Sequence, residues 1–391
     1  MIGTLPTTRT SPFDPPEALA EIRAERPVTR LAYPDGHEGW LVTGHAQARA
    51  VLADPRFSSR PELRHHPVPG PAAGGTGQPS PPGMFTSMDP PDHTRYRRLL
   101  TGQFTVRRMR QLTGRTEELA TGLLDAMEAG GKEADLVSAF AGPLPALVIC
   151  ELLGVPDSGR DRFQRQARAL SSLEVTREEQ VAAYLELREM MRELVTAKRA
   201  APADDLLSGL TAGDLTDDEL AGVGFTLLGA GLDTTANQLT LGVFALLSDP
   251  DAARARALRT NPAEVVEELL RYLSVIPFLL RVALEDVELD GHTIRAGETV
   301  TVSIQAANRD PLRFAEPDLL DLGRAAGGHL AFGHGIHQCL GQQLARVELL
   351  AGLPALFERF PGLRLAVAPE RVPLRTDMLI YGVHALPVTW E

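Results

Sequence analysis

The chain has 391 residues, of which 43% are hydrophobic, and it carries a net charge of −12 with a pI near 5.4. This length and hydrophobic content predict a large buried core in one or two domains. No apolar run approaches the roughly 18 residues of a membrane span, and the first residues lack a secretion signal. The negative charge disfavours nucleic acid and anionic membranes as partners. We therefore expect a cytoplasmic protein that binds neither.

The first 60 residues combine helical and strand patterns. Helices are predicted over 16–23 and His45–Ala53, and strands over Val28–Ala32 and 39–43. Residues 61–84 are rich in proline and glycine, a composition that buries little apolar surface. A loop of this length is either disordered or a functional lid.

A helix is predicted to begin near Asp92, after two prolines. His93 and Arg97 lie four positions apart on this helix and therefore share one face. Alone, they would be an ordinary surface pair. Further helical patterns cover 113–129, 136–153 and 159–200, with a break near 171.

The longest helical pattern runs over 216–247, with Thr216 as its N-cap, and it is apolar on nearly all sides. Asp233 and Thr234 interrupt it, and a buried carboxylate requires a partner or a function. The Thr234 hydroxyl can donate a hydrogen bond to the carbonyl of Ala230, and Gly231 leaves a notch without a side chain. A kinked core helix is the simpler alternative.

Glu268 and Arg271, three apart on a helix after Pro262, can form an ion pair, although such pairs often contribute little. The helix is predicted to end near Pro277. Strand patterns follow over 278–303, with turns at 290–291 and 296–297, and the tail over 363–391 reads as β structure.

Cys339 follows a loop in which Gly333 and Gly335 permit positive φ angles and the close approach of a flat ligand. A helix over 340–360 comes next, and its free N–H groups are expected to lower the pKa of the thiol. A lone cysteine is more often a small buried hydrophobe, and Cys150 is read in this way. Without further cysteines, Cys339 fits the sole axial ligand of a haem iron and not a zinc or iron–sulfur site.

The pattern Phe-Gly-x-Gly-x-His-x-Cys-x-Gly over 332–341 resembles the haem-binding loop of the cytochrome P450 family. Three elements precede it in the family's order: His-x-x-x-Arg at 93–97, Ala-Gly-x-Asp-Thr-Thr at 230–235 and Glu-x-x-Arg at 268–271. The resemblance covers nearly the whole chain. It implies the cytochrome P450 fold, mainly α with smaller β regions, as a single domain over 1–391 whose β-rich part comprises about 1–60, 275–305 and 363–391. The wording of the motifs is similar to that of actinobacterial enzymes that tailor natural products.

By this resemblance the cofactor is haem b, with Cys339 as the ligand of its iron. Asp233 and Thr234 would relay protons to iron-bound oxygen, and the Glu-x-x-Arg element would be structural. The other residues implied to bind the cofactor are His93, Arg97, Ala230, Gly231, Arg281, Phe332, Gly333, His337 and Gly341.

The implied reaction is insertion of one atom of dioxygen into a small organic substrate, most simply as a hydroxylation. The chain shows no flavin or nicotinamide fingerprint, so electrons are expected from a ferredoxin and its reductase. Phenol coupling and epoxidation remain alternatives at the same site, as does a non-catalytic haem sensor or carrier. The arginines that form either a docking patch for the acidic redox partner or a solvated helix face are Arg95, Arg98, Arg107, Arg108 and Arg110.

Overall fold

The structure is a computed structural model that describes residues 2–69, 77–171, 176–249, 253–376 and 378–390. Part of the predicted lid loop, 70–76, lies outside the described residues. So do 172 and 173 of the predicted helix break near 171. The described chain is mainly helical with smaller sheets, which confirms the predicted fold class.

The helices are α1 (Glu17–Glu25), α2 (His45–Ala53), α3 (Asp92–Thr101), α4 (Val106–Ala129), α5 (Pro143–Leu153), α6 (Asp157–Ser171), α7 (Arg177–Ala200), α8 (Leu206–Thr211), α9 (Asp217–Leu247), α10 (Ala253–Thr260), α11 (Pro262–Leu273), α12 (Ile304–Ala307) and α13 (Gln342–Arg359). A π-helical turn, Val137–Ala141, precedes α5, and short 3₁₀ turns lie at Phe85–Ser87, Gly335–His337 and Pro369–Arg371.

The strands are β1 (Val28–Ala32), β2 (Glu38–Val42), β3 (Phe57–Ser58), β4 (Glu133–Asp135), β5 (Phe278–Ala283), β6 (Val287–Leu289), β7 (His292–Ile294), β8 (Thr299–Ser303), β9 (Arg364–Leu365) and β10 (Pro387–Thr389). One sheet has the order β1-β2-β8-β5-β3, in which β2 and β8 are parallel and the other neighbours are antiparallel. This sheet joins the first 60 residues to the segment around 280–300.

Two smaller sheets complete the β structure of the described residues. One is the β6–β7 hairpin, and the other has the order β4-β10-β9. Strand β4 lies in the part of the chain that was predicted to be helical. Three residues are too few for an alternating pattern to reveal, and β4 exists because β10 pairs with it. In the described residues of the tail, the β structure consists of β9, β10 and an isolated bridge between Leu374 and Val383, which is less than predicted.

Helix α9 lies at the centre of the helical region and packs against α5, α7, α11 and α13. Thr216 is its N-cap, as the sequence predicted, and the structure shows that this cap is part of a capping box. The Thr216 hydroxyl accepts a hydrogen bond from the Glu219 N–H (3.2 Å), and the Glu219 carboxylate accepts one from the Thr216 N–H (2.8 Å). Because α9 is apolar on nearly all sides, packing on several faces stabilises it more than helix propensity does.

Candidate active site

The cysteine loop (332–341) connects the β-rich part of the protein to α13. Gly333 and Gly335 have φ angles of 66° and 74°, so the predicted left-handed backbone is confirmed. The Cys339 N–H donates a hydrogen bond to the Phe332 carbonyl at 2.8 Å. Gly341 is the N-cap of α13, which begins two residues later than predicted for this helix. The loop is therefore closed by its own backbone and presents Cys339 just before the helix.

Gly335 serves a different purpose from the one expected. A Cβ at this position would lie 2.2 Å from the carbonyl oxygen of Leu52 and 2.9 Å from the Cα of Ala53, at the end of α2. The close approach that Gly335 permits is thus to the backbone of α2 and not to a flat ligand. At Gly333 a Cβ would meet only Leu279, at an ordinary 3.6 Å.

The Cys339 side chain is accessible to solvent, yet protein atoms surround it closely on other sides. This combination is expected of a group that borders an internal space. Burial raises the pKa of the Cys339 thiol, while the Gly341 N–H and the guanidinium groups of Arg97 and Arg346 act in the opposite direction. The Gly341 N–H at the start of α13 thus lowers the pKa of Cys339, as expected, but burial of the thiol outweighs it.

Four predicted cofactor-binding side chains come together beside the cysteine loop: His93 and Arg97 of α3, Arg281 of β5, and His337. We call them the cationic cluster. The His93 and His337 rings are 4.1 Å apart between centroids. Only 2% of His93 and 6% of Arg281 are exposed. Residues separated by up to 244 positions thus meet at one place, as the resemblance implied.

The electrostatics of the cationic cluster favour an anion. Burial, followed by the nearby charges of Arg281, His93 and Arg97, lowers the pKa of His337 to about 3. Burial also lowers the pKa of Arg281 to about 10. In the part of the chain that the structure describes, Arg97 and Arg281 form no ion pair with a carboxylate, and the buried Nδ1 atom of His93 has no hydrogen-bond partner. Buried polar groups in this state are costly unless a ligand satisfies them.

On α9, the Thr234 hydroxyl donates a hydrogen bond to the Ala230 carbonyl at 2.8 Å, which confirms the predicted contact. The helix nevertheless remains a continuous α-helix. Gly229 and Ala230 are exposed in the middle of this otherwise buried element, whereas the missing side chain of Gly231 faces Ile149 at 3.6 Å. The open spot on the helix is therefore at Gly229 and Ala230, and not at Gly231 as expected.

Asp233 has a partner that the sequence did not indicate. Its carboxylate accepts hydrogen bonds from Nη1 and Nη2 of Arg375, at 2.6 and 3.0 Å, and from the Asn237 side chain at 3.0 Å. The Arg375 N–H in turn donates to the Gly382 carbonyl at 2.8 Å, and a Cβ at Gly382 would collide with Asn237 at 1.7 Å. The tail thus approaches α9 closely. A lone arginine 142 positions away gives no sequence signal of such a pair.

The Glu268–Arg271 pair is completely buried, which confirms its predicted structural role. Arg271 Nε and Nη2 donate to the two Glu268 oxygens at 2.7 and 2.8 Å. Arg271 Nη1 also donates to the carbonyls of Asn308 and Pro317, and Arg324 Nε donates to Glu268 at 3.2 Å. This network holds the segment before the cysteine loop against α11.

A second carboxylate of α11, Glu267, binds residues on both sides of the cysteine loop. His329 Nε2 and Arg346 Nη2 each lie 3.1 Å from Glu267 Oε2. Although burial raises the pKa of Glu267, hydrogen bonds from His329 and Arg346 lower it to about 2. The Arg346 guanidinium also lies 4.6 Å from the ring centre of Phe332. Sequence reasoning missed the contacts of Glu267 with His329 and Arg346, because α11 and the segments around the cysteine loop meet only in the folded protein.

Part of the predicted basic docking patch is neutralised within the protein. Arg95 pairs with Glu219, Arg107 with Asp204 at 2.8 Å, and Arg108 Nη2 lies 3.5 Å from Asp204. Arg98 and Arg110 remain exposed, and in the described residues they form no ion pair. Two of the five arginines, Arg98 and Arg110, are therefore left for a docking patch or a solvated helix face.

No helix in the described residues is both long and apolar enough to cross a lipid bilayer.

Comparison with known proteins gives close relatives. The family model "Cytochrome P450" matches residues 263–383. The chain is 50% identical over 393 residues to Cytochrome P450 105C1 of Streptomyces sp, covering 99% of this chain and 98% of that protein. It is 46% identical over 399 residues to nocardicin C N-oxygenase of Nocardia uniformis subsp. tsuyamanensis, covering 98% and 99%.

A solved structure shares the fold. The crystal structure of cytochrome P450 MoxA from Nonomuraea recticatena superposes with a TM-score of 0.92 at 42% identity, and the match covers 99% of this chain and 98% of that one. Because identity of this extent spans nearly the whole chain and includes the cysteine loop, the chain belongs to the cytochrome P450 family of haem-iron monooxygenases.

Proposed function

We propose that this protein hydroxylates a small organic substrate in secondary-metabolite biosynthesis, that Cys339 is the ligand of its haem iron, and that a ferredoxin supplies the electrons. The observation that carries the proposal is the position of Cys339, which is accessible in a closed loop beside two arginines of the cationic cluster, Arg97 and Arg281, that form no ion pair in the described residues. The relatives support the biosynthetic setting, since one of them is named as an oxygenase of nocardicin C.

The residues present fit haem b. Its two propionates are anions, and among the described residues the cationic cluster offers two arginines without an ion-paired carboxylate, together with a buried His93 Nδ1 that lacks a hydrogen bond. We assign His93, Arg97, Arg281 and His337 to the propionates. Phe332, Gly333 and Gly341 belong to the loop that would lie against the cofactor, and Ala230 lies at the open spot of α9. The assignment of Gly231 to the cofactor has the least support, because the position that a side chain would occupy there faces Ile149.

A thiolate-ligated haem supplies the chemistry that activates dioxygen for insertion into a substrate. The protein's own contribution includes control of protons on α9. Asp233 Oδ1 accepts hydrogen bonds from Arg375 and Asn237, whereas Oδ2 accepts one from Arg375 in the described residues, so Oδ2 keeps a lone pair at which a proton can be taken up and passed on. The Thr234 hydroxyl can exchange its bond to the Ala230 carbonyl for one to a group at the open spot. We therefore propose Thr234 as the proton donor and Arg375 as the residue that positions Asp233.

The decisive experiment is the absorption spectrum of the purified protein, reduced and exposed to carbon monoxide. We expect the strongly red-shifted Soret band of a haem with a cysteinate ligand. A band typical of histidine ligation, or protein that does not bind haem, would contradict the assignment of Cys339. Haem that a ferredoxin cannot reduce would instead favour a sensor or carrier.

Thr234→Ala is expected to keep the haem and lower product formation by about 100-fold or more, because a positioned proton donor is lost. The electrons should appear as hydrogen peroxide. The measurement compares product and peroxide formed per electron pair consumed. Thr240→Ala is the matched control, since Thr240 makes the same bond to the carbonyl four residues earlier, at 2.7 Å, on a buried face of α9. Equal coupling in both variants would remove Thr234 from proton delivery.

Arg97→Leu is expected to weaken haem binding by about tenfold or more, the loss expected for a hydrogen bond to a charged group. The haem-free protein should melt no lower than the parent, because removal of Arg97 relieves repulsion within the cationic cluster. Haem titration and thermal melting of the haem-free protein measure the two effects. The control is Arg98→Leu, at an exposed position of the same helix. A lower melting temperature with unchanged haem affinity would mean that Arg97 is merely structural.

A further inference from the structure

A cavity of about 460 Å³ lies between the N-terminal segment, the loop at 66–69, the corner at 277–278 and the tail residues 375–376 and 378–381. Most of its lining is apolar, with Leu5, Val68, Phe278 and Met378 among the contributors. Two arginines, Arg9 and Arg375, also line it. None of the catalytic or cofactor-binding assignments above explains a cavity with this lining.

Arg375 presents an unused donor. Only 7% of this residue is exposed, and its two terminal nitrogens bind Asp233. Its Nε atom is buried and has no hydrogen-bond partner in the described residues. A buried N–H of a guanidinium without an acceptor is costly, and since Arg375 lines the cavity, a shift of its side chain on binding would let an oxygen of the ligand satisfy this N–H.

Arg9 presents a charge that has no carboxylate within ion-pair distance in the described residues, because the nearby Asp14 carboxylate pairs with Arg309. The Arg9 guanidinium lies 3.7 Å from the ring centre of Tyr381 and donates to the Gln305 side chain at 2.5 Å and to the Asp14 carbonyl at 2.7 Å. These acceptors are neutral. Burial lowers the pKa of Arg9 to about 10, so it remains a cation at neutral pH. Its position is fixed by stacking and by hydrogen bonds, as in a preformed binding group.

We propose that this cavity binds an amphipathic organic acid, with the carboxylate at Arg9 and Arg375 Nε and the hydrocarbon part against the apolar lining. The planar guanidinium group matches a carboxylate in shape as well as in charge. The volume is sufficient for a small ligand. The proposal does not depend on the assignment of Cys339, because none of its contacts involves the cysteine loop.

The test is calorimetric titration of the full-length holoenzyme with octanoate and with octanamide, which has the same chain but no charge. We expect octanoate to bind on the order of tenfold more tightly. In Arg9→Gln the two affinities should become nearly equal. In the control Arg26→Gln, at an exposed arginine outside the cavity lining, the preference should remain. Equal affinities in the parent protein, or an unchanged preference in Arg9→Gln, would overturn the proposal.

Two further measurements complete the test: one replaces Arg9→Gln if that variant does not fold, and the other identifies whether the acid reaches the haem. Should Arg9→Gln fail to fold, Arg9→Lys keeps the charge without the planar fork; a reduced preference then supports the site, and an unchanged one contradicts it. The haem absorption spectrum during the titration distinguishes two sources of the acid. A shift on adding octanoate indicates a substrate that reaches the haem, and binding without a shift indicates a separate ligand. Either result supports carboxylate recognition in the cavity.

Discussion

Replacing Cys339 with serine is expected to abolish both the thiolate spectrum and turnover. A serine hydroxyl stays protonated at neutral pH and cannot supply the thiolate that favours cleavage of the oxygen–oxygen bond. The side chains are similar in size, and Cys339 is accessible, so the fold should be preserved. The measurements are the spectrum of the reduced protein with carbon monoxide, product formation with a ferredoxin system, and thermal melting as a check on folding.

Cys150→Ala is the matched control for this change. Cys150 is fully buried in α5, and burial raises its thiol pKa to about 12, so it is an inert hydrophobe. The variant should retain the red-shifted band and lose some stability because of the small cavity. Retained turnover in Cys339→Ser, or loss of the band in Cys150→Ala alone, would show that the wrong cysteine was assigned.

Replacing Glu268 with glutamine is expected to lower the free energy of unfolding by about 3–5 kcal/mol. Arg271 would then be a fully buried cation without its counter-ion, and Arg324 would lose a charged partner as well. The large effect follows from complete burial and not from the number of hydrogen bonds lost, since a buried charge cannot turn to water. Urea unfolding of the haem-free protein measures it without a contribution from the cofactor.

The control for this change is Glu189→Gln. Glu189 forms an ion pair with Arg192 at the same spacing of three residues on a helix, at 3.4 Å, but both side chains are about half exposed. Such a pair contributes about 0–1 kcal/mol. A similar loss in both variants would mean that burial is not what makes the Glu268 pair important.

Most secondary structure followed from local patterns. The capping box at Thr216 and Glu219, the apolar length of α9 and the strand patterns over 278–303 each depend on residues close together in the chain. The hydrogen bond from Thr234 to Ala230 was predictable for the same reason, since one helical turn fixes the distance. The Glu268–Arg271 spacing predicted the pair. The large contribution that we expect this pair to make to stability, however, comes from its complete burial, which the spacing does not reveal.

The tertiary structure decided the packing, ion pairing and pKa shifts that depend on contacts between distant parts of the chain. By itself, the sequence determined the identity of the candidate ligand, Cys339, and the helix that holds Asp233 and Thr234. Only the fold showed that Gly335 serves the packing against α2, and that Arg375 reaches Asp233 from the tail. It also showed that burial raises the pKa of Cys339 despite the nearby helix. The physical reason is common to all three: close packing, ion pairing and desolvation depend on which atoms surround a group, and distant segments supply most of those atoms.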